Sequence, residues 1–191
     1  MQKQFSLIVL LVVLLSACQK EYTPKPRGYF RIEFPEKTYH RLGQNLPYSF
    51  EVADYSIPRS ASDYTYTSDS GWLTISTPAN KADLHLSYAP LNNDLQKHLE
   101  ESRRLAYDHS IKADAIEERL FINREQHVYG TIYYIEGNAA SPIQFFLTDS
   151  TEHFLRGALY IREIPNIDSI RPVIDFLEPD VIRLIETTHW N

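Results

Sequence analysis

The chain of 191 residues has the length of one ordinary domain, and its 43% hydrophobic and 13% aromatic content exclude a disordered protein. Thirteen tyrosines and eleven prolines against six glycines favour a β-rich protein with many loops over a helical bundle. The net charge of −6 disfavours nucleic acid as a partner, since nucleic-acid binding needs a basic face.

The N-terminus has the pattern of an export signal. Lys3 gives a positive flank, and residues 7–15 form an unbroken apolar run about half as long as a membrane span. The run ends in Leu15-Ser16-Ala17-Cys18, which resembles the bacterial lipobox, where cleavage before the cysteine accompanies its acylation. We therefore predict a signal peptide over residues 1–17 and a lipid-modified (palmitoylated) Cys18. The alternative is an ordinary cleaved signal followed by an incidental cysteine.

Cys18 is the only cysteine of the chain, so its acylation would leave no thiol for catalysis or for metal binding. Three acyl chains exceed what stable membrane anchoring needs. Gln19 stands where an aspartate commonly retains lipoproteins at the inner membrane, which favours the outer membrane. Glu21 is the single acid next to the cysteine, which favours the periplasmic face over the cell surface. An inner-membrane or surface location remains the alternative.

A short tether and one globular domain are predicted after the signal. Pro24 and Pro26 keep residues 18–28 extended and semi-rigid. Residues 29–191 then form a single domain.

Alternating apolar residues and turn signals predict the strands. The first half of the chain has four predicted strands: 29–34, 47–52, 72–77 and 82–88. The last two form a hairpin around residues 78–81, and the polar stretch 56–70 is predicted to be a loop. The second half has four more predicted strands: 115–122, 126–136, 142–148 and 154–162.

Two segments have the period of a helix. One apolar face is shared by Leu91, Leu95, Leu99, Ser102 and Ala106. It predicts an amphipathic helix from Asn93 to about His109, with Asn92 or Asn93 as the N-cap. A second face is shared by Ile170, Ile174, Leu177, Val181 and Leu184. It predicts a helix after Pro165 that Pro179 must kink or split.

This order of elements predicts an α+β fold, a mainly antiparallel sheet with two helical elements packed on it as a sandwich. The order is similar to that of the PsbP/Mog1-type sandwich.

Motifs for catalysis, cofactors or metals are missing from the sequence. The seven histidines show no HxH, HxxH or HExxH spacing, and there is no GxSxG, SxxK or Gly-rich phosphate loop. We therefore expect no cofactor, no metal and no catalytic residue. An acid/base pair assembled only by the fold remains open.

Two short patterns resemble acceptor sites of bacterial O-glycosylation. Ser150 follows Asp149, and Ser169 follows Asp168. The competing interpretation is a turn at the first position and a helix N-cap, with Asp168 or Ser169 as the capping residue, at the second.

Aromatic residues are concentrated in the first third of the chain, where aliphatic residues are few. They are Tyr29, Phe30, Tyr39, Tyr48, Tyr55, Tyr64 and Tyr66. Each of these residues could fix a loop to the core, and as a group they could also form a contact surface for a partner.

Two blocks carry a resemblance to a known family. Residues 22–35, YTPKPRGYFRIEFP, resemble the start of the GldD gliding-motility lipoproteins of Bacteroidota, and residues 109–116, HSIKADAI, are similar to that family as well. The resemblance implies participation in gliding motility and in the type IX secretion on which gliding depends, with other envelope proteins as partners. It implies no biochemical activity.

The first block supplies the candidate interaction residues, which are Lys25, Arg27, Tyr29, Phe30 and Arg31. The cations Lys25 and Arg27 could meet lipid head groups or an acidic partner, and the competing interpretation is a tether that enters an edge strand.

Three functions are consistent with the sequence. The first is a non-catalytic component or assembly factor of the gliding and secretion machinery. The second is a glycan- or peptidoglycan-binding envelope lipoprotein, in which Trp72 and exposed tyrosines would stack on sugars. The third is an anchored hydrolase. A flat patch would favour the first, a concave aromatic groove the second, and a buried carboxylate or histidine in a cleft the third.

Overall fold

The computed structural model describes residues 33–43, 45–60, 72–108, 112–163 and 166–191. The chain divides into residues 1–32 and a compact body, Glu33–Asn191. The predicted signal peptide, Cys18, the tether and most of the first predicted strand lie outside the described residues. All the described helices and strands belong to the body.

Ten strands and two helices make up the described body. The strands are β1 (Tyr39–Leu42), β2 (Tyr48–Ala53), β3 (Ile57–Ser60), β4 (Leu73–Thr77), β5 (Ala82–Pro90), β6 (Ala113–Asn123), β7 (Val128–Gly137), β8 (Ile143–Thr148), β9 (His153–Ile161) and β10 (His189–Trp190). The helices are α1 (Leu95–Tyr107) and α2 (Ile167–Glu186), and a short 3-10 turn, Pro78–Asn80, joins β4 to β5.

Seven strands form one sheet in the order β3-β4-β5-β9-β8-β7-β6. Every neighbouring pair is antiparallel. This confirms the predicted α+β fold with a mainly antiparallel sheet and two helices. The finer likeness to PsbP/Mog1-type sandwiches stays a prediction.

The main core lies on one face of this sheet. Alternate residues such as Leu84 of β5 and Leu155 of β9 pack there against Leu177 of α2, as the period of two requires. A three-stranded sheet, β1-β2-β10, completes the layer and contributes the fully buried Tyr48 and Phe50. Helix α2 and the small sheet therefore cover this face.

The opposite face of the large sheet carries helix α1. Its buried residue Ala106 and the half-buried Leu99 contact a small cluster of Tyr133, Phe146 and Phe154 from three adjacent strands. The apolar stripe predicted for this helix is confirmed.

One position in the main core requires glycine. Gly157 of β9 lies directly opposite Phe145 of β8. A Cβ atom at residue 157 would come within 2.2 Å of the Phe145 ring. The ring occupies the space that any larger residue would need.

The strand predictions were wrong in three places. Glu33 and Phe34 lie outside any strand, although residues 29–34 were predicted as one. Strand β3 forms inside the predicted loop, where Pro58 is tolerated because β3 is an edge strand. The short strands β1 and β10 were not predicted, and both pair with β2.

The helix ends and the role of proline also differ from the predictions. Helix α1 begins at Leu95 with Asp94 as its N-cap, because Asn93 has a positive φ of 63° and cannot enter the helix. Helix α2 is continuous through Pro172 and Pro179, so of the two predicted effects of Pro179 the split is wrong, and the kink stays a prediction. Pro179 is exposed.

The start of the body is fixed to helix α2 by a cluster that we call the entry clamp: Phe34, Lys37, Tyr39, Tyr55, Phe176 and Asp180. The carboxylate of Asp180 accepts hydrogen bonds from Lys37 Nζ at 2.7 Å, from the Tyr39 hydroxyl at 2.8 Å and from the Tyr55 hydroxyl. Phe34 stacks on Phe176 with the ring centroids 4.2 Å apart.

The entry clamp also involves the backbone of α2 near Pro179. Lys37 Nζ donates to the carbonyl of Phe176 at 2.5 Å and lies 4.3 Å from the centre of the Phe176 ring. Proline cannot donate to the preceding turn, so the carbonyl of Asp175, four residues before Pro179, loses its helical donor. The carbonyl that Lys37 binds belongs to the next residue, Phe176, so this contact fixes Lys37 to the helix and does not replace the missing bond.

Candidate binding groove

A groove exists because one helix cannot cover a seven-stranded sheet. Six gaps of about 4.8 Å make the sheet roughly 29 Å wide, whereas a helix with its side chains is about 10–12 Å across. Helix α1 packs over β7, β8 and β9. The face of β4 and β5 therefore stays open beside the helix, and the resulting groove has a volume of about 660 Å³.

Polar and small residues form the floor of the groove. Thr74 of β4, His85 of β5 and Ala158 of β9 stand in register across three neighbouring strands. The next row pairs Ser87 of β5 with Arg156 of β9. Ala158 is small, which gives the groove depth between its larger neighbours.

Helix α1 forms one wall. His98 stacks on Phe154 with the ring centroids 5.1 Å apart, and its Nε2 lies 3.3 Å from Oδ2 of Asp94. The backbone N–H of Asn92 lowers the pKa of Asp94. Glu101 also lines this wall.

Aromatic rings lie at the open side of the groove. Trp72, just before β4, is 58% exposed, an unusual position for so large an apolar ring. Tyr160 lies against His85 with the ring centroids 5.6 Å apart. The groove thus combines flat apolar surfaces with hydrogen-bonding groups.

Arg156 is the cation of the groove floor. Its Nη2 donates to Oε1 of Gln144 at 2.5 Å, and burial lowers the pKa of its guanidinium. No carboxylate among the described residues lies within ion-pair distance of it. Gln144 is only 1% exposed, and its Nε2 has no hydrogen-bond partner in the described part of the chain.

Thr74 and His85 form a hydroxyl–imidazole pair. The Thr74 Oγ1 lies 3.0 Å from Nδ1 of His85. A hydroxyl nucleophile usually needs its base oriented by a third group. The described residues place no carboxylate on the other nitrogen of His85, so the pair has the geometry of a hydrogen-bonding surface.

The described part of the body offers neither a cluster of metal ligands nor a helix of membrane-spanning character. Within the five described ranges, no group of three or more His, Cys, Asp or Glu side chains could hold a metal ion. Neither α1 nor α2 is both long and apolar enough to cross a membrane.

The predicted lipidation and interaction residues lie outside the described residues. These are Cys18, Lys25, Arg27, Tyr29, Phe30 and Arg31. The structure therefore leaves them as predictions.

Ser150 lies in the turn between β8 and β9, exposed and with a positive φ of 72°. Asp149 organises this turn. Burial acts to raise its pKa, but hydrogen bonds from the backbone N–H groups of His153, Thr151 and Glu152 outweigh burial and lower the pKa to about 2. The turn interpretation is confirmed, and use of Ser150 as a glycosylation acceptor stays a prediction.

Ser169 lies exposed in the first turn of α2. The N-cap of this helix is Asn166, so the prediction that Asp168 or Ser169 caps it was wrong. Its modification stays a prediction as well.

The clustered tyrosines have mainly structural roles where they are described. Tyr48 is fully buried, and Tyr39 and Tyr55 bind Asp180 in the entry clamp. Tyr64 and Tyr66 lie outside the described residues.

Sequence reasoning named Trp72 but missed Arg156 and His85 as groove residues. A signal existed for Arg156, which interrupts the otherwise apolar run Phe154–Tyr160 of a central strand. A charge at such a position is costly unless it is partnered.

The fold and the site define an α+β body whose described part carries an open groove beside α1. The family model for the gliding motility lipoprotein GldD matches residues 19–190, nearly the whole chain, and the chain belongs to this family. A membrane-anchored location in the cell envelope follows from that membership. None of the curated proteins compared with the chain matches it.

Proposed function

We propose that this chain is a non-catalytic component or assembly factor of the gliding machinery and of the type IX secretion on which gliding depends. The acylated Cys18 holds the body at the periplasmic face of the outer membrane. Family membership supports a role in gliding. The observation that carries a role through surfaces is the exposed edge of β6.

Strand β6 forms one edge of the large sheet and is eleven residues long. Leu120 is 80% exposed and Ile122 is 59% exposed, and both point to the same side because they are two residues apart. Long open edges invite further strand pairing, and proteins commonly protect them with charges. On β6 the charged residues lie at Asp114 and from Glu117 to Arg119, and the exposed apolar residues follow them. The opposite edge, β3, is short and carries Pro58.

The partner that fits this edge is an extended segment of another envelope protein of the machinery. Such a segment would add one strand to β6 through backbone hydrogen bonds and would cover Leu120 and Ile122 with its own apolar side chains. Glu117 and Arg119, on the other side of β6, bind each other at 2.7 Å and would remain solvated.

The test is a double change of Leu120 and Ile122 to Lys. The variant should be folded, lipidated and of normal abundance, but cells that carry it should not glide and should secrete poorly. Ile57→Lys on edge strand β3 is the matched control, because Ile57 is 49% exposed, and it should leave gliding intact. Normal gliding in the double variant would remove the β6 edge from the interface.

The anchor is tested separately. Cys18→Ala should yield an unprocessed protein that incorporates no labelled palmitate. A Cys18→Ala protein that was still processed and still inseparable from membranes would contradict the lipobox prediction.

The first block remains a second candidate interface. A triple change of Arg27, Tyr29 and Arg31 to Ala should leave a folded, lipidated protein that fails to support gliding, since aromatic and Arg anchors carry most interface energy. Normal motility in that variant would exclude the block.

The hydrolase alternative has its own test in the Thr74–His85 pair. We expect His85→Ala to leave gliding and secretion intact at normal abundance. Loss of both at unchanged abundance and unchanged partner binding would revive the hydrolase alternative.

A further inference from the structure

The groove beside α1 has the dimensions of a ligand site. Its volume of about 660 Å³ lies within the range of roughly 300–1,000 Å³ typical of small-ligand sites. It is formed by regular strands and a helix, so its side chains are held by the scaffold. Its aromatic rings, its hydrogen-bonding groups and its charge restrict the chemical class of ligand that can bind.

The aromatic feature is the exposed ring of Trp72 with Tyr160 on the same open face. Flat apolar rings that remain exposed beside a groove suit ligands with a flat apolar face. The C–H faces of pyranose rings have this character.

The polar feature is the row of hydrogen-bonding groups along the floor. Thr74 and Ser87 offer hydroxyl groups that both donate and accept, and His85 offers a ring nitrogen. Groups of mixed character suit sugar hydroxyls and amides, which also donate and accept.

The electrostatic feature is Arg156. Its guanidinium lies partly buried, is fixed by Gln144 at 2.5 Å, and has no ion-pair partner among the described residues. Burial lowers the pKa of Arg156 and outweighs the effect of Glu101 on the helical wall, which acts from beyond ion-pair distance and raises that pKa. Glu101 also lies 3.8 Å from Arg104. A partly buried charge without a contacting counterion is costly, and an anionic ligand group within ion-pair distance would reduce that cost.

We propose that this groove binds an acidic saccharide, the aminosugar strand of the cell wall with its carboxylate-bearing substituents. Trp72 stacks on a sugar ring, the floor hydroxyls bind its polar groups, and Arg156 pairs with a carboxylate. This ligand rests on the periplasmic face proposed above, because the cell-wall polymer lies on that side of the outer membrane. The site is separate from the β6 edge and does not depend on the secretion role.

The experiment is isothermal titration calorimetry on the full-length lipidated protein in detergent. One probe is a solubilised cell-wall fragment that carries aminosugars and free carboxylates, and the other is neutral chitohexaose. The wild-type protein should bind the acidic fragment saturably and more tightly than chitohexaose.

Single substitutions test how much Trp72 and Arg156 each contribute to binding. Trp72→Ala should weaken binding of both probes about tenfold or more, since truncated aromatic anchors commonly cost at least that much. Arg156→Gln should weaken binding of the acidic fragment and leave binding of chitohexaose unchanged. Arg156→Lys should keep the preference for the acidic fragment over chitohexaose. Leu120→Ala, an exposed apolar residue outside the groove, is the control and should bind like wild type.

Three results would overturn the proposal. These are the absence of saturable wild-type binding at millimolar fragment, a Trp72→Ala protein that binds as well as wild type, and an Arg156→Gln protein that loses both probes equally. Near-UV circular dichroism of each variant confirms that the fold is retained. Because the readout is binding, a failure here leaves the gliding test of the β6 edge unaffected.

Discussion

Replacing Asp180 by Ala tests whether the entry clamp stabilises the body. The Asp180 side chain is 13% exposed and that of Lys37 27%. The change leaves one ammonium and two hydroxyls without their shared acceptor. Hydrogen bonds to charged groups contribute about 1.5–3 kcal/mol each, and breaking a fully buried ion pair costs about 3–5 kcal/mol. Because the pair is partly exposed, we expect a loss of about 2–4 kcal/mol in the free energy of unfolding.

The assay is equilibrium unfolding in urea, with Asp175→Ala as the matched control. Asp175 is an exposed carboxylate on the same helix, and its removal should change stability by less than about 0.5 kcal/mol. A second readout is the ultraviolet titration of tyrosine. Burial and the hydrogen bond to Asp180 raise the pKa of Tyr39 to about 12, and Asp180→Ala should move that pKa down towards 10. Equal stabilities of the Asp180→Ala and Asp175→Ala proteins would refute the reasoning.

Three further predictions concern the cores and pH. Leu99→Ala should lower the free energy of unfolding in urea by about 1–2 kcal/mol, less than truncation of a fully buried leucine because Leu99 is half-buried. A loss below about 0.5 kcal/mol would contradict the packing of Leu99 against the sheet. Gly157→Ala should cost about 1–3 kcal/mol through its clash with Phe145, and Phe145→Leu should recover part of that loss; strictly additive effects would argue against the clash. The free energy of unfolding should fall as pH rises from about 10 to about 12. Burial raises the pKa of Tyr39 and Tyr133 to about 12, whereas tyrosines in the unfolded chain lose their protons near pH 10. A urea midpoint that stays constant between about pH 9 and about pH 11 would exclude this contribution.

The sequence predicted correctly those strands that show an alternating pattern of their own and pair with a neighbour along the chain. Strands β4 and β5 alternate around a Pro-containing turn, and their hairpin was predicted correctly. Strand β10 is two residues long and pairs with β2 about 140 residues earlier. No local period can indicate such a strand, because its pairing depends on where α2 brings the C-terminus.

The groove shows the same division between local and long-range information. Trp72 was a candidate from its residue type alone. Thr74 and His85 belong to the predicted β4–β5 hairpin, but Ala158 joins their row from β9, much later in the sequence. The sequence therefore indicates the first pair and gives no direct sign that Ala158 is their neighbour.

The entry clamp was missed for a related reason. Asp180 follows Pro179, and that local pattern suggested a break in α2 rather than a binding partner. Lys37 lies 143 positions before Asp180 in sequence, and Tyr39 and Tyr55 are nearly as distant. No local pattern can indicate that these three side chains meet at one carboxylate.

The two proposed surfaces lie on one face of the large sheet, with α1 between them. Leu120, Thr131, Phe146, Arg156 and Ser87 form one row in register from the β6 edge to the groove floor. The middle residue, Phe146, packs in the cluster beneath α1. The helix therefore separates an apolar edge suited to a protein strand from a polar, aromatic groove suited to a saccharide. On the opposite face, α2 and the small sheet cover the main core, and both proposed contacts fall on the α1 side of the described body.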